Sequence, residues 1–267
     1  MSEPRPVALT IAGSDPSGGA GIQADLKTFH QFGVYGAAVI TLVTVQNTRR
    51  VSRVECLPAQ LVSEQVEAVV EDIMPAAAKT GALGNREVVE AVAELAAGFQ
   101  FPLVVDPVMI SKHGSPLLAE DARRVLRERL IPRASLVTPN LAEAEALTGL
   151  EVRDVASMRR AAARILKMGA GAVLIKGGHL DDSSTDVLLA NGEWLELPAS
   201  RIETPHTHGT GCTYSAAITA GLARSMALAD AVRLAKSFMT EAIRTAPALG
   251  TGPGPVNHHA RLPGGRD

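Results

Sequence analysis

A short run of small residues at 209–212 carries the strongest sign of chemistry in this sequence. Gly209, Thr210 and Gly211 stand directly before Cys212, and the residues that follow have the smooth apolar character of a helix. A helix N-terminus carries about half a positive charge and binds anions through its free N–H groups. A thiol at that place is expected to have its pKa lowered from about 8.5 towards neutrality. Together these groups could activate a hydroxyl and stabilise a migrating phosphoryl group.

Cys212 also has a plainer interpretation, because free cysteine is often a small buried residue that suits close packing. The residue types at 209–212 do not by themselves separate the two interpretations. The catalytic interpretation is favoured because other polar residues follow neighbouring predicted strands, where they are expected to converge on Cys212.

Asn140 and Glu143 lie three residues apart at the start of a predicted helix. Residues at that spacing share one helix face, so an amide oxygen and a carboxylate oxygen can converge there. Hard oxygen ligands suit Mg²⁺, which usually keeps several of its waters. The same pair also meets the requirements of a capping box, with Asn140 as the N-cap and Glu143 returning to the backbone. The two roles are compatible, and the spacing leaves both open.

A glycine-rich stretch, AGSDPSGGAGIQAD at 12–25, follows the first predicted strand. Gly13 and Gly18 have the P-loop spacing, but Gly19 stands where the P-loop lysine belongs, and GxGxxG is absent. We therefore do not expect a nucleotide P-loop here. The glycines expose backbone that a flat ligand could approach closely, although a turn followed by a helix cap would use the same residues.

Three more polar residues end apolar runs. Gln46 offers a donor and an acceptor side by side, which could bind the edge of an aminopyrimidine or a similar heterocycle, although a solvated loop glutamine fits the spacing equally well. Asp106 ends another run before a proline. Lys176 ends a third before two glycines, where it could contact a phosphate or simply face solvent. The sequence contains neither HExxH nor a Cys–His set, the motifs that would indicate a zinc site.

The elements that must position these residues alternate along the whole chain. Apolar runs rich in β-branched residues are predicted as strands, and stretches with helical spacing are predicted as helices. The predicted strands are 6–13, 35–47, 76–83, 101–108, 134–140 and 171–178, followed by a hairpin at 186–197. The predicted helices are 21–33, 59–73, 86–97, 118–130, 141–149, 156–168, about 212–224 and 228–246.

This alternation predicts an α/β fold with a mostly parallel sheet that is covered on both faces. Because no linker or repeat interrupts it, we expect a single domain over residues 1–267. Ligands bind such sheets beyond the carboxyl ends of the strands, so the polar residues described above are expected to meet at one edge.

The composition excludes several classes of protein. The chain has 267 residues and a formal net charge of −2, with both signs scattered and no basic stripe, so we expect no nucleic-acid partner. No apolar run is long enough to span a bilayer, and the N-terminus lacks the apolar run of a signal peptide. The two cysteines, Cys56 and Cys212, lie far apart, which favours a reducing compartment. We therefore expect a cytoplasmic protein without a membrane partner.

Seven motifs, spread in order over nearly the whole chain, resemble those of one known family. They are AGSDPSGGAGIQADLKT, TLVTVQNT, DPVMISKHG, TPNLAEAEAL, LIKGGH, HTHGTGCTYSAAI and GPGPVNHH. On these motifs the sequence resembles the hydroxymethylpyrimidine/phosphomethylpyrimidine kinases of thiamin synthesis, which belong to the ribokinase-like superfamily. The resemblance implies a three-layer α/β/α fold with a central, mainly parallel sheet. It also implies a kinase that uses ATP and Mg²⁺ to phosphorylate 4-amino-5-hydroxymethyl-2-methylpyrimidine, and then its monophosphate to the diphosphate.

The resemblance implies a role for each matching residue. Asn140 and Glu143 match an Asn-x-x-Glu element near Mg²⁺ and phosphate. Residues 209–212 match an anion hole with Cys212 as general base, and Gln46 matches a glutamine that binds the pyrimidine. The other residues expected in the substrate pocket are Gly13, Ala20, Asp25, Ala82 and Val108. The residues expected to contact ATP or phosphate are Asp106, Lys112 and Lys176.

Two positions differ from the wider superfamily. Most members carry aspartate where Cys212 stands, although this branch is similar to the present chain in using cysteine. Ala82 replaces the methionine that covers the ring in many relatives, which predicts a roomier pocket. Pyridoxal or pyridoxine kinase is therefore the closest alternative function, and a non-catalytic pyrimidine-binding module is the alternative from another class. A homodimer would fit the resemblance.

Overall fold

A computed structural model describes residues 5–110, 117–178 and 184–263. The apolar runs of these residues form nine strands of one sheet. The strands are β1 (Val7–Ser14), β2 (Tyr35–Asn47), β3 (Arg50–Cys56), β4 (Ala77–Thr80), β5 (Leu103–Val105), β6 (Leu136–Val137), β7 (Ala172–Ile175), β8 (Asp186–Ala190) and β9 (Glu193–Leu197). Their order across the sheet is β3-β2-β1-β4-β5-β6-β7-β8-β9. In that order, neighbouring strands are parallel from β2 through β1, β4, β5 and β6 to β7. The strands β3, β8 and β9 pair antiparallel at the edges.

Helices cover both faces of this sheet. They are α1 (Gly21–Gln31), α2 (Ala59–Asp72), α3 (Arg86–Ala96), α4 (Glu120–Val125), α5 (Leu141–Thr148), α6 (Val155–Leu166), α7 (Thr210–Ala223) and α8 (Leu228–Arg244). Buried residues of α2 to α6 form a core on one face, and those of α1, α7 and α8 form a second core on the other. Alternate side chains of β1 serve both cores, Leu9 the first and Ala8 the second. The predicted three-layer α/β/α fold with a mainly parallel sheet is confirmed.

The strand β3 is a feature that the sequence patterns do not predict. Its two valines, Val51 and Val54, are three positions apart across a register shift, so the segment lacks the alternation of a half-buried strand and resembles a polar loop. The turn before it contains no glycine, and Oδ1 of Asn47 instead accepts hydrogen bonds from two following N–H groups. The helix predicted at 118–130 is also shorter, since α4 gives way to a π-helical turn at Leu126–Leu130.

The carboxyl ends of the parallel strands lie along one edge of the sheet. The strand β1 leads into the glycine-rich stretch, β5 leads to Asp106, and β7 leads to Lys176. A β-bridge joins Lys176 to Asn140, which follows β6. The residues that follow the strands therefore meet at one edge, as the sequence predicts. Among the described residues, no helix combines the length and the apolar character needed to cross a membrane.

Candidate active site

A cavity of about 710 Å³ opens at this edge of the sheet. Its walls come from residues that follow the parallel strands and from the first turn of α7. The sequence-predicted residues that it brings together are Gly13, Ala20, Gln46, Ala82, Asp106, Val108, Asn140, Glu143, Lys176, Gly209, Thr210, Gly211 and Cys212. The convergence expected from the strand ends is therefore present.

The cavity is elongated across the sheet. Gln46 lies near the carboxyl end of β2, and Lys176 follows β7, five strand positions away in the order of the sheet. With about 4.8 Å between neighbouring strands, the two ends are roughly 24 Å apart. A cavity of that length has room for a ring-sized acceptor at one end and a nucleotide at the other.

The first turn of α7 faces the middle of this cavity. Gly209 has a φ of 80°, in the left-handed region, and a Cβ there would overlap the carbonyl oxygen of Gly19. Glycine is therefore required for the close approach of the two loops. A Cβ at Gly211 would stand 3.4 Å from Nζ of Lys176 and 3.6 Å from Oδ2 of Asp106. An anion bound at this helix N-terminus would also meet the Lys176 cation.

Cys212 is half-buried on the cavity wall, but its pKa moves in the direction opposite to the prediction. Burial and the nearby carboxylate of Asp25, with a smaller contribution from Asp106, raise the pKa of the thiol to about 12. The cation of Lys79 and the N–H group of Gly21 oppose this rise. The predicted lowering towards neutrality is wrong, because burial and the neighbouring carboxylates outweigh the charge of the helix terminus.

Asp25, which was predicted in the substrate pocket, lies behind the cavity instead. Its side chain is fully buried, and its Oδ2 accepts hydrogen bonds from Nζ of Lys79 at 2.8 Å and from Oγ1 of Thr10 at 2.7 Å. A substrate could not contact this carboxylate without opening the core. Asp25 and Lys79 form an enclosed ion pair, close enough to Cys212 to influence its ionisation.

Lys176 and Asp106 form an ion pair on the cavity wall. Nζ of Lys176 lies 2.9 Å from Oδ1 of Asp106, and the lysine side chain is 13% exposed. The carboxylate also accepts hydrogen bonds from Oγ1 of Thr138 at 3.2 Å and from Oγ of Ser215 at 3.3 Å. A cation fixed in this way, with a small exposed fraction, favours the phosphate-contact interpretation of Lys176 over a solvated charge. Lys112, the third residue predicted to contact ATP or phosphate, lies outside the described residues.

Asn140 and Glu143 form the capping box that was one of the two interpretations of their spacing. Oδ1 of Asn140 accepts a hydrogen bond from the N–H of Glu143, and Oε2 of Glu143 accepts one from the N–H of Asn140, both at 2.9 Å. Burial raises the pKa of Glu143 to about 7, with Lys176 opposing the rise and Asp106 adding to it.

The donor set beside this capping box fits Mg²⁺ through water. Asp106 is paired with the ammonium group of Lys176 at 2.9 Å, and Glu143, whose pKa is about 7, adds a second carboxyl group to this wall. Within the described ranges, no three His, Cys, Asp or Glu side chains are grouped so as to hold a metal ion by themselves. Mg²⁺ commonly keeps several waters and binds one or two carboxylates together with substrate phosphates. The capping role and the metal role are therefore compatible.

The raised pKa of Glu143 predicts a pH-dependent stability. The carboxyl group has a pKa of 4.5 in its ordinary state and about 7 in the folded protein, so the folded state holds the proton more tightly. Its contribution to the free energy of unfolding is full below pH 4.5 and is lost as the pH rises through about 7. In urea titrations, we expect Glu143→Gln to gain stability relative to wild type between about pH 5 and 8. A gain towards acid pH instead would contradict this pKa. Glu128→Gln, at an exposed site, is the control.

Asp15 and His208 form a buried polar pair that sequence reasoning missed. Nε2 of His208 lies 2.8 Å from Oδ2 of Asp15, and both residues line the cavity. Burial alone would raise the pKa of Asp15, but hydrogen bonds from His208 and Ser17 hold it at about 2. Both residues stand inside quoted motifs, yet they are 193 positions apart, so their pairing is visible only in the fold.

A second missed cluster lies at the Lys176 end of the cavity. Oδ2 of Asp186 accepts hydrogen bonds from Nζ of Lys236 at 2.7 Å and from the hydroxyl of Tyr214 at 3.0 Å. Oδ1 of Asp186 accepts a third from the N–H of Gly177 at 2.8 Å. These bonds connect β8 with α7, α8 and the residue after Lys176. This position of Lys236 beside Asp186 could not be predicted from the sequence, because Lys236 lies in α8, a helix with an ordinary amphipathic pattern.

Comparison with known proteins agrees with this geometry. The sequence model of phosphomethylpyrimidine kinase matches residues 15–257. A hydroxymethylpyrimidine/phosphomethylpyrimidine kinase of Haemophilus influenzae is 50% identical over 94% of this chain and 96% of its own. The crystal structure of phosphomethylpyrimidine kinase from Clostridium difficile has a TM-score of 0.80 at 44% identity, over 90% of this chain and all of that chain. An ADP complex of Bacillus subtilis pyridoxal kinase has a TM-score of 0.89 at 38% identity, over 96% of this chain and 98% of that chain. By sequence and by structure, this chain belongs to the phosphomethylpyrimidine kinase family.

Proposed function

We propose that the chain phosphorylates 4-amino-5-hydroxymethyl-2-methylpyrimidine with ATP and then converts the monophosphate into the diphosphate, for thiamin biosynthesis. The observation that carries this proposal is the single elongated cavity, which has Gln46 at one end, Lys176 at the other and the first turn of α7 between them. The Haemophilus influenzae relative is named for both phosphorylations. In this proposal the whole chain acts as one domain.

The Gln46 end of the cavity suits a flat ring. Its walls include Gly13, Ala20, Ala82 and Val108, whose short side chains leave space for a ring between them. The amide of Gln46 has a donor and an acceptor side by side, as the edge of an aminopyrimidine requires. Binding the ring there would direct its hydroxymethyl group towards the middle of the cavity, where Cys212 lies.

The middle of the cavity supplies positive charge for the transferred phosphoryl group. The N–H of Thr210 donates to the carbonyl of Thr207 at 3.3 Å, which leaves the N–H groups of Gly211 and Cys212 for an anion in the space that the ammonium group of Lys176 also faces. Phosphoryl transfer passes through a loose transition state, so catalysis depends mainly on positioning and electrostatic stabilisation. Mg²⁺ held through water near Asp106 and Glu143 would neutralise charge on the phosphates of ATP.

Cys212 is proposed as the group that accepts the proton of the hydroxymethyl oxygen. The pKa of about 12 means that the thiolate is a small fraction at neutral pH. A loose transition state requires the proton late, so it makes a low demand on the base. Lys79 and the N–H group of Gly21 favour the thiolate, and they are the groups that keep this fraction available.

A coupled ADP-release assay with MgATP tests the proposed function. The hydroxymethylpyrimidine, its monophosphate and pyridoxal are offered in parallel, and we expect turnover of both pyrimidines with a lower kcat/KM for pyridoxal. In Gln46→Leu, which keeps the size but loses both hydrogen bonds, the KM for the hydroxymethylpyrimidine should rise about 10- to 100-fold. Binding of the pyrimidine without any turnover by wild type would instead favour a non-catalytic binding module.

Pyridoxal phosphorylation is the second candidate, and Ala82 is the residue that favours it. Its methyl group lines the cavity where a longer side chain would cover the ring, which leaves space for the bulkier substituents of pyridoxal. The Bacillus subtilis structure of similar fold is itself a pyridoxal kinase. Preference for pyridoxal in the same assay would keep the chemistry assigned to Cys212 and change the substrate.

We further propose that the protein is a cytoplasmic homodimer. Val43 and Val45 of β2 are 40% and 56% exposed, which places an apolar strip near one edge of the sheet. A second copy could cover this strip, since exposed apolar strips are common where subunits meet. The molar mass of the protein in solution decides whether it is a dimer.

A further inference from the structure

The carboxylate of Asp15 organises the glycine-rich stretch around itself. Its Oδ1 accepts hydrogen bonds from the N–H of Ser17 at 2.8 Å and from Oγ of Ser17 at 2.7 Å. Its Oδ2 accepts hydrogen bonds from the N–H groups of Gly19 at 3.1 Å and Ala20 at 2.9 Å. Residues 15–20, here called the aspartate loop, are therefore wrapped around one buried charge.

His208 holds that charge from the other side. Its Nε2 donates to Oδ2 of Asp15 at 2.8 Å, and the two side chains are 6% and 2% exposed. The backbone of His208 is itself fixed, because its N–H donates to the carbonyl of Gly254 at 3.0 Å and its carbonyl accepts from the N–H of Val256 at 3.2 Å. The imidazole of His208 therefore links the aspartate loop to the segment that leads into α7, and this hydrogen-bonded link to Asp15 is here called the strut.

This strut lies next to the groups assigned to catalysis. Gly209 follows His208 directly and packs against the carbonyl of Gly19. At the other end of the aspartate loop, Ala20 lines the cavity, and Gly21 donates its N–H towards Cys212. A small movement of the aspartate loop would therefore shift one wall of the acceptor pocket and one hydrogen-bond donor to the thiol.

We propose that His208 is a positioning residue, which acts through Asp15 to hold the aspartate loop against the first turn of α7. This inference rests on the proposed function for its kinetic consequence. It does not rest on that function for its structural consequence, which is the fixed position of residues 15–20. Misplacement of about 1 Å near a reacting centre can cost about 100-fold in rate. Because Ala20 of the aspartate loop lines the acceptor end of the cavity, we expect the loss to fall chiefly on the acceptor.

Two substitutions separate the hydrogen bond from the bulk of the ring. His208→Leu keeps approximate size but has no donor, whereas His208→Gln keeps an N–H donor near the position of Nε2. We expect His208→Leu to lower kcat/KM for the hydroxymethylpyrimidine about 10- to 100-fold, with KM for ATP within about threefold of wild type. His208→Gln should recover most of this loss. His30→Leu is the control, because His30 is exposed in the last turn of α1, at the end of that helix away from the aspartate loop.

Hydrogen–deuterium exchange gives a readout that needs no turnover. In His208→Leu, the amides of a peptide covering residues 15–21 should exchange about tenfold faster, since the N–H groups of Gly19 and Ala20 lose a fixed acceptor. In His30→Leu their exchange should stay as in wild type. If His208→Leu does not fold, His208→Asn, whose shorter side chain falls short of Asp15, replaces it with the same expected results.

The outcomes separate the two levels of inference. Unchanged exchange in the loop, or equal losses of kcat/KM in the Leu and Gln variants with unchanged melting temperature, overturns the positioning role. A parallel rise of KM for ATP would also overturn it, because it indicates general distortion of the site. If wild type phosphorylates none of the offered substrates while the loop amides of His208→Leu still exchange faster, the proposed function is wrong. The inference that His208 fixes residues 15–20 is then retained.

Discussion

Replacing Cys212 with alanine is expected to lower kcat about 10²–10⁴-fold, the range typical of losing a general base, while the KM values stay within about threefold. Cys212 is the side chain at the first turn of α7 that can accept the hydroxyl proton, and alanine suits a helix at that position. The measurement is the ADP-release assay with both pyrimidines. Near-normal turnover would remove the proton-accepting role and leave the anion-binding turn to account for the rate.

Cys56 is the matched control for this experiment. It is also half-buried, and burial raises the pKa of its thiol, with Glu55 and Glu87 adding to the rise. It packs near Gly84 and does not line the cavity. Cys56→Ala should therefore leave kcat unchanged. Equal losses in the two variants would mean that the effect comes from loosened packing and not from the chemistry of a thiol.

The dependence of kcat on pH shows whether the pKa of the Cys212 thiol stays at about 12 in the substrate complex or is lowered by the bound substrate. Well below its pKa, the thiolate fraction of Cys212 grows tenfold for each unit of pH. The kcat of wild type should accordingly rise with pH above neutrality, and the rise should be absent in Cys212→Ala. A plateau already at neutral pH would show that substrate binding lowers the pKa of Cys212.

Local patterns predicted the architecture well because buried parallel strands have a strong and continuous apolar signal. The strand β3 was missed because its two valines, Val51 and Val54, are three positions apart among charged and polar residues, so nothing in its seven residues separates it from a loop. The residues after the strands could be grouped in advance, since parallel topology alone brings Asp106, Asn140 and Lys176 to one edge.

Electrostatics and long-range pairing could not be predicted in the same way. The expected lowering of the Cys212 pKa considered the helix terminus alone, whereas the burial and the carboxylates that raise it depend on what packs behind α7. Asp25 stands in a motif that otherwise lines the cavity, but its position on α1 turns it into the core. Pairing of Asp15 with His208 spans 193 positions, and no local rule connects them.

Replacing Lys79 with methionine is expected to destabilise the protein by about 3–5 kcal/mol, the usual cost of removing one partner from a buried ion pair. Both side chains of the Lys79–Asp25 pair are 0% exposed. Within the described residues, Oδ1 of Asp25 has no hydrogen-bond partner, so the carboxylate already depends on Lys79 and Thr10. Urea denaturation at constant m-value is the measurement. Arg124→Ala, which breaks an exposed ion pair, should cost less than about 1 kcal/mol.

The double variant Lys79→Met/Asp25→Leu shows whether this pair has a role beyond stability. Replacing both charges with apolar side chains removes the unpaired carboxylate, so the double variant should be more stable than Lys79→Met alone. Its kcat should also return close to that of wild type, because Asp25 raises the pKa of Cys212 and Lys79 lowers it, so the two effects are removed together. Recovery of both stability and kcat would make the pair purely structural. Recovery of stability alone would explain why a fully enclosed lysine lies in a strand that apolar residues could fill.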